Sequence, residues 1–178
     1  MSFPFLLAAG STVLATGVTL LWSYRGVTRL RDQEWDELLT MLEPMHLRGL
    51  EMVAQDFMNP QAGQLQLEPG DMWALLGGKE GLRRMKNNAE IMIALAAYAS
   101  RWNLIEAAIV AERMRHDSIM LRRALFRIRI DAMTHRRPLQ IPFYLHQAAS
   151  SYYLMVRRLL ALYEASHVGL HPRLAAAL

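Results

Sequence analysis

The sequence predicts an all-α fold, in which one N-terminal transmembrane helix is followed by a cytoplasmic antiparallel bundle of about four long helices. Two observations predict this class. The first 22 positions contain no charged side chain. From Arg25 onward, apolar residues recur at steps of three and four, which is the spacing of one face of an α-helix, and no useful length of strand-like alternation interrupts them.

Residues 3–22 are long enough to span a membrane, because twenty helical residues at about 1.5 Å each cover the roughly 30 Å hydrocarbon layer. Trp22 and Tyr24 stand where an interfacial aromatic belt is expected, and three arginines follow within seven residues. The positive-inside rule then places the N-terminus outside and the bulk in the cytoplasm, at the inner membrane of a bacterium. A cleavable signal peptide is disfavoured, because no cationic n-region precedes the apolar run.

Small side chains share one face of this predicted transmembrane anchor, which we assign to residues 1–24. Such a face lets another transmembrane helix approach closely. A helix that simply meets lipid contains the same residue types, so both interpretations stay open. The residues of this face are Ala8, Thr12, Ala15 and Thr19.

The segment after the anchor is predicted to begin with a juxtamembrane stalk and a first helix over residues 25–58. Pro44 should bend this helix, because proline removes a backbone donor and clashes with the preceding turn. Residues 59–78 are expected to form a loop and a short helix, with Asp71 as its N-terminal cap and Gly77 at its end.

Residues 79–168 carry the remaining long helices, and residues 169–178 are expected to form a C-terminal tail. The stretch "IMIALAAYA" within the first of these helices is apolar on every side and must therefore be covered all round. Short connections between the helices favour antiparallel neighbours. The predicted helices span residues 79–102, 104–135 and 142–167.

The last two long helices carry more apolar surface than a four-helix core needs. Besides its inward seam, each has a second apolar seam. Large exposed apolar stripes are rare on monomers, so we favour a subunit interface, with a compact core around one central helix as the alternative. The second seams consist of Ile119, Phe126 and Met133 on one helix and of Ala149, Tyr153, Val156, Leu160 and Tyr163 on the other.

Four arginines fall seven residues apart along the helix predicted over 104–135. If Ser118 and Leu125 occupy a positions of a heptad, these arginines occupy e positions, which border the apolar seam and present their guanidinium groups to whatever lies opposite. We expect them to be partner contacts, beside an apolar patch of Phe126, Tyr153, Val156 and Leu160. The four arginines are Arg115, Arg122, Arg129 and Arg136.

We call these four arginines the arginine stripe, and several kinds of partner or surroundings are compatible with it. Acidic residues of a partner, or of another helix such as the "DQEWDE" run at 32–37, are favoured because e-position charges commonly select partners. Anionic lipid headgroups come next, since a tethered domain lies near a negative surface. A solvated face is third. Nucleic acid is disfavoured, because no helix-turn-helix, zinc finger or aromatic platform accompanies the basic stretch 113–137.

The sequence lacks most of the residue patterns that carry catalysis. The chain has no cysteine, which excludes disulfides, thiol nucleophiles and cysteine-ligated metals. The glycines of "LLGGKEG" lack the spacing of a phosphate-binding loop. Ser150 lies four residues after His146, but a third orienting group and oxyanion donors are not evident. No cofactor is therefore expected.

Two Glu-x-x-His motifs, "EPMH" and "EASH", suggest one catalytic alternative. With a glutamate from each of two further helices, they resemble the ligand set of the ferritin-like di-iron carboxylate family. This resemblance implies iron or manganese held by carboxylate and imidazole groups. The candidate ligands are Glu43, His46, Glu90, Glu112, Glu164 and His167, with Glu106 as a substitute for Glu112.

Two features weigh against this metal site. Pro44 lies inside the first motif, where a regular helical turn is required. Glu164 lies near the end of its helix, over about 10 Å further along the bundle than Glu43 and Glu90. We therefore expect a non-catalytic scaffold or accessory subunit, which assembles with itself or with a larger membrane complex.

Overall fold

The structure is a computed structural model that describes residue 30 and residues 33–60, 66–134, 141–165 and 169–178. These residues form seven α-helices, one 3-10 turn and no strand, which confirms the predicted all-α class. Glu34–Leu178 forms one compact unit. The elements are α1 Trp35–Thr40, α2 Leu47–Met58, α3 Pro69–Leu75, α4 Gly78–Tyr98, the 3-10 turn Ala99–Arg101, α5 Leu104–Thr134, α6 Ile141–Ala165 and α7 His171–Ala177.

In the part of the chain that the structure describes, no helix is both long enough and apolar enough to cross a membrane. The predicted anchor over residues 1–24 lies outside that part. Its small-residue face, formed by Ala8, Thr12, Ala15 and Thr19, therefore stays a prediction.

The compact unit is a helical bundle built from α2, α4, α5 and α6. The 3-10 turn joins α4 to α5, and α5 makes its largest contact with α6. Asn88 of α4 meets Tyr152 of α6, and Leu95 meets Tyr163, so these two helices run in the same direction. The short 3-10 turn reverses the chain between α4 and α5, which pack against each other, so α5 is antiparallel to α4 and therefore also to α6.

The first helix is interrupted over more residues than the sequence predicts. A bend near Pro44 was expected, but α1 ends at Thr40 and α2 begins at Leu47, with residues 42–46 outside any helix. Proline starts the break because it cannot donate the backbone bond of a continuing helix. Asn88 then holds the non-helical segment by bonding the backbone of Glu43.

The short helix α3 also begins earlier than predicted. Glu68 is its N-cap residue and Pro69 fills its first position, where a missing N–H is tolerated, so Asp71 lies in the first turn rather than at the cap. The turn from α3 into α4 uses Gly77 and Gly78, with φ values of 76° and 60°. Glycine adopts this left-handed conformation without the steric cost that a side chain imposes.

The core is rich in methionine and centres on α4, α5 and α6, with further side chains from α1, α2 and α3. Every residue from Ile91 to Ala96 is buried, which confirms that this part of "IMIALAAYA" is covered on all sides. Methionine is flexible and polarisable, so it fills the irregular gaps between helices of unequal length. The largest fully buried side chains are Tyr152, Tyr163, Leu38, Leu50, Met72, Met85, Met92, Leu95, Met114, Leu121, Leu145 and Met155.

The predicted C-terminal tail contains the helix α7, which packs on α6 and α1. Leu174 and Leu178 are buried. The Arg173 guanidinium donates to an Asp36 carboxylate oxygen at 2.6 Å and lies 4.9 Å from the centre of the Trp35 ring. The last helix of the unit is therefore fastened to the first.

Candidate functional site

The helix α5 has two faces with opposite environments. Its inward face is fully packed against α4 and α6, with Ala107, Met114 and Leu121 inaccessible to solvent. Its opposite face carries large apolar side chains in solvent. Those residues, with their exposed fractions, are Ile105 at 74%, Ile109 at 50%, Ile119 at 50% and Phe126 at 62%.

These apolar residues belong to one continuous row along α5. The steps between its members alternate between four and three residues, which is the spacing of a coiled-coil seam. At about 100° per residue the row lies opposite the buried face of the helix. We call this row the outer seam, and its members are Ile105, Ile109, Glu112, His116, Ile119, Arg123, Phe126 and Ile130.

The second apolar seam predicted on α5 coincides with part of the outer seam. Ile119 and Phe126 are both exposed, as a contact surface requires. The side chain of Met133 lies outside the described part of the chain. Sequence reasoning missed Ile105 and Ile109, although their spacing from Ile119 continues the same heptad pattern.

The second seam predicted on α6 faces the interior, and this corrects the predicted patch. Val156 is buried, and the Tyr153 hydroxyl donates to the Glu51 carboxylate of α2 at 2.9 Å. Leu160 is half-buried. Both apolar seams of α6 pack against other helices of the unit, because α6 contacts α2, α3, α4, α5 and α7. Of the four predicted patch residues, Phe126 alone is exposed on the outer seam.

The arginine stripe is partly neutralised within the chain. Arg115 donates to Glu112 at 2.6 Å, one turn earlier on α5. Arg122 donates to Glu90 of α4 at 3.0 Å, and both side chains are about one-third exposed. Glu90 is thus one acidic partner of Arg122, on another helix of the same chain. Arg129 is exposed, and Arg136 lies beyond the described residues.

An ion pair with one buried partner joins α5 to α6. Arg158 of α6 contacts the carboxylate of Asp117, which is 12% exposed. Burial lowers the pKa of Arg158, and the neighbouring positive charge of Arg113 lowers it further. Because Arg158 remains 31% exposed, this pair is one contact among the many that α5 and α6 make.

The candidate di-iron ligands that lie in the described part of the chain do not form a group. Glu43 is bound by Arg83, Glu90 by Arg122 and Glu112 by Arg115, so each carboxylate already has a guanidinium partner. Glu164 and His46 are exposed, and His167 is not among the described residues. Within the ranges that the structure describes, no three His, Asp or Glu side chains are grouped so that they could hold a metal ion.

His146 links α6 to α2 in the interior. Its Nδ1 lies 3.0 Å from the Val53 carbonyl oxygen, and its Nε2 lies 3.6 Å from an Asp56 carboxylate oxygen. Phe57 stacks on the imidazole, with 5.5 Å between ring centres. Both His146 and Ser150 are buried, so a substrate has no direct access to this pair.

Asn88 is the polar centre of the interior, and sequence reasoning gave it no role. Its Nδ2 donates to the Glu43 carbonyl oxygen at 2.7 Å and to the Tyr152 hydroxyl at 3.0 Å, and its Oδ1 accepts from the Glu43 N–H at 3.0 Å. Burial raises the pKa of Tyr152 to about 12, although the bond from Asn88 opposes that shift. One side chain therefore joins α4, α6 and the segment before α2.

An exposed ionic network surrounds this centre. Arg83 donates to Glu43 and to Glu80, and the Asn87 amide donates to the Glu43 carboxylate at 3.0 Å. The Arg83 hydrogen bond lowers the pKa of Glu80 to about 2. The bond from Asn87 and then that from Arg83 lower the pKa of Glu43.

Replacing Arg83 by glutamine should flatten the acid dependence of stability. Because the pKa of Glu80 is lower in the folded than in the unfolded chain, its ionised form stabilises the fold above about pH 4.5 and loses this effect as the pH falls towards 2. Urea midpoints at pH 6 and pH 3 should differ less in Arg83→Gln than in the parent chain. Lys86→Gln, an exposed change of equal charge on α4, is the control, and equal pH dependence in both variants would contradict the assignment.

Comparisons with known proteins do not identify the chain. No family model, no curated protein and no solved structure matches it.

Proposed function

We propose that this protein is a non-catalytic, membrane-anchored helical scaffold or accessory subunit, and that it assembles through the outer seam of α5. The observation that carries this proposal is the exposure of Ile105, Ile109, Ile119 and Phe126 along one face of α5. Several large apolar side chains exposed along one helix face are a feature of sites of protein contact.

These four side chains do not belong to the packed core of the unit. The inward face of α5 is already closed by α4 and α6, and the ion pair between Asp117 and Arg158 adds a polar contact to that face. Complete burial of one large apolar side chain is worth about 1.5–3 kcal/mol. Four such side chains on each of two facing surfaces are comparable with the cost of association, which is roughly 4–15 kcal/mol.

The membrane location in this proposal rests on residues 3–22. They carry no charge and have the length of a spanning helix, and arginines follow them directly. The proposed location is the inner membrane of a bacterium, with the N-terminus outside and the Glu34–Leu178 unit in the cytoplasm.

Binding to anionic lipid is the second candidate function. It is favoured by the number of α5 arginines that the bundle leaves exposed, since each cation near a negative membrane surface contributes about 1 kcal/mol. Capture of the protein by anionic vesicles that is lost at high salt would support it. These arginines are Arg113, Arg115, Arg123, Arg127 and Arg129.

Substituting Phe126 by aspartate should dissociate the assembly without unfolding the bundle. The side chain is 62% exposed, so the aspartate stays hydrated in the separated chain but is desolvated in an apolar contact. The full chain is extracted in mild detergent, and the mass of the particle is measured by size exclusion with light scattering. The expected result is a fall to the mass of one chain, with unchanged far-ultraviolet circular dichroism.

Met52→Asp provides the matched control for this experiment. Met52 is 48% exposed, but it lies on α2, away from the outer seam. The control should keep the mass and composition of the parent particle. If the Phe126→Asp protein also keeps the mass and composition of the parent particle, the outer seam is not the surface through which the protein assembles.

A further inference from the structure

We propose that the outer seam is covered by the outer seam of a second copy of this chain, in an antiparallel two-fold pair. This inference rests on the proposed function, which requires only that some protein covers the seam. It goes further by naming the occupant, the direction of the contact and the residues that face each other.

The outer seam is symmetric about a point between Asp117 and Ser118. Its steps of four and three residues read the same in both directions, so a two-fold axis at that point aligns every member with another member. A two-fold contact uses the same patch on both chains, which requires this kind of self-complementarity. The facing pairs are Ile105 with Ile130, Ile109 with Phe126, Glu112 with Arg123 and His116 with Ile119.

The charges of the seam select the antiparallel direction. In the antiparallel pair, Glu112 of each copy faces Arg123 of the other, which gives two attractive contacts. In a parallel pair with the same register, Glu112 would face Glu112 and Arg123 would face Arg123, and such like-charge contacts are unfavourable. Apolar residues occupy both ends of the seam and meet apolar residues in the antiparallel pair.

The two edges of the contact are compatible with this alignment. On one edge, Glu106 faces Arg127 of the second copy. On the other edge, Arg115 approaches Arg122, but Arg115 holds Glu112 at 2.6 Å and Arg122 holds Glu90 at 3.0 Å. Each of these two guanidinium groups therefore has a carboxylate partner from its own chain when the two copies pair. The complete seam covers about 38 Å of helix.

Disulfide trapping tests the direction of the pair directly, because the chain contains no cysteine of its own. Ile109→Cys and Phe126→Cys are prepared separately as full chains with different affinity tags, mixed in mild detergent and oxidised. We expect a mixed disulfide between the two variants. Neither variant alone should cross-link, because position 109 lies seventeen residues, about 25 Å, from its symmetry mate along the antiparallel pair.

The other outcomes of trapping overturn the inference. Disulfides within each variant alone would indicate a parallel pair. If no disulfide forms, the seam is not covered by a second copy in this register. Met52→Cys mixed with Phe126→Cys should stay unlinked, and a disulfide at a similar rate in this control would show that collisions, not the pair, explain the product.

Charge reversal tests, without a cross-link, whether Glu112 of one copy faces Arg123 of the other. Arg123→Glu should raise the dissociation constant of the dimer at least about tenfold, because it places two like-charge contacts in the seam. Combining it with Glu112→Arg in the same chain should weaken the pair by less than the two single changes added together, because the facing charges are again opposite, while the Glu112→Arg variant alone already includes the loss of the Arg115 partner. Lys86→Glu, the same charge change on α4, should have no effect. If the effects of the two single changes simply add in the double variant, Glu112 and Arg123 do not face each other.

These experiments separate failure of the inference from failure of the proposed function. If Phe126→Asp strips a different protein from the native particle and no mixed disulfide forms, the outer seam is a contact surface but its occupant is not a second copy. If Phe126→Asp changes neither mass nor composition, both are overturned.

Discussion

Replacing Asn88 by alanine should lower the free energy of unfolding of the Glu34–Leu178 unit by about 3 kcal/mol. The substitution removes the partner of three groups at once, namely the N–H and the carbonyl of Glu43 and the hydroxyl of Tyr152. A buried polar group left without a partner costs about 1–3 kcal/mol. The expected loss of stability lies near the lower end of the sum over the three groups, because the Glu43 backbone is only partly buried and regains hydrogen bonds to water. Urea unfolding followed by circular dichroism measures the change.

Asn87→Ala is the matched control for this prediction. Asn87 is the neighbour of Asn88 on α4 but is half-exposed, and it makes one hydrogen bond to the Glu43 carboxylate. Its loss should cost less than about 1 kcal/mol. Both changes improve helix propensity equally, so the difference between the variants isolates the buried bonds. Equal losses of stability in the two variants would contradict the role of Asn88.

Replacing Gly81 by alanine should also destabilise the unit, by about 3 kcal/mol. A Cβ at this position would overlap the carbonyl oxygen of Leu76 and lie 2.8 Å from its carbonyl carbon. These are backbone atoms in the turn between α3 and α4, so they cannot rotate away as a side chain would, and overpacking typically costs about 1–3 kcal/mol. The expected sign is opposite to helix propensity, which favours alanine by about 1 kcal/mol.

Gly70→Ala shows what the same change does without the clash. Gly70 lies in the first turn of α3, and a Cβ there would meet no heavy atom within 4 Å. It should be neutral or stabilising by up to about 1 kcal/mol, because alanine restricts the unfolded chain. Thermal unfolding of both variants provides the comparison. If Gly81→Ala also proves stabilising, α4 does not pack against the Leu76 carbonyl as closely as described.

The long helices could be predicted from sequence because their signal is local. Apolar steps of three and four residues, together with Gly77 and Gly78 at the turn, indicate where α4, α5 and α6 run. The extent of the break before α2 could not be predicted, because Asn88, which holds Glu43 outside the helix, is 45 residues away. Helix α7 was missed for a similar reason, since its seven residues depend on docking against α1 and α6.

The candidate site was predictable only in part. Heptad spacing shows that Ile119 and Phe126 share a face, but it does not say whether another helix of the same chain covers that face. This is why Val156, which has equally regular spacing on α6, was assigned to the surface and is buried. The partner of Arg122 was also out of reach, because Glu90 approaches it only after α4 and α5 pack together.

The fastening of α7 to α1 brings the two ends of the unit to one place. Asp36 and Arg173 are in direct contact, although 137 positions separate them in the chain. A domain whose ends are adjacent can be inserted into a loop of another protein without stretching its host. We therefore expect that Glu34–Leu178, grafted into a loop of a monomeric carrier, would present the outer seam on that carrier.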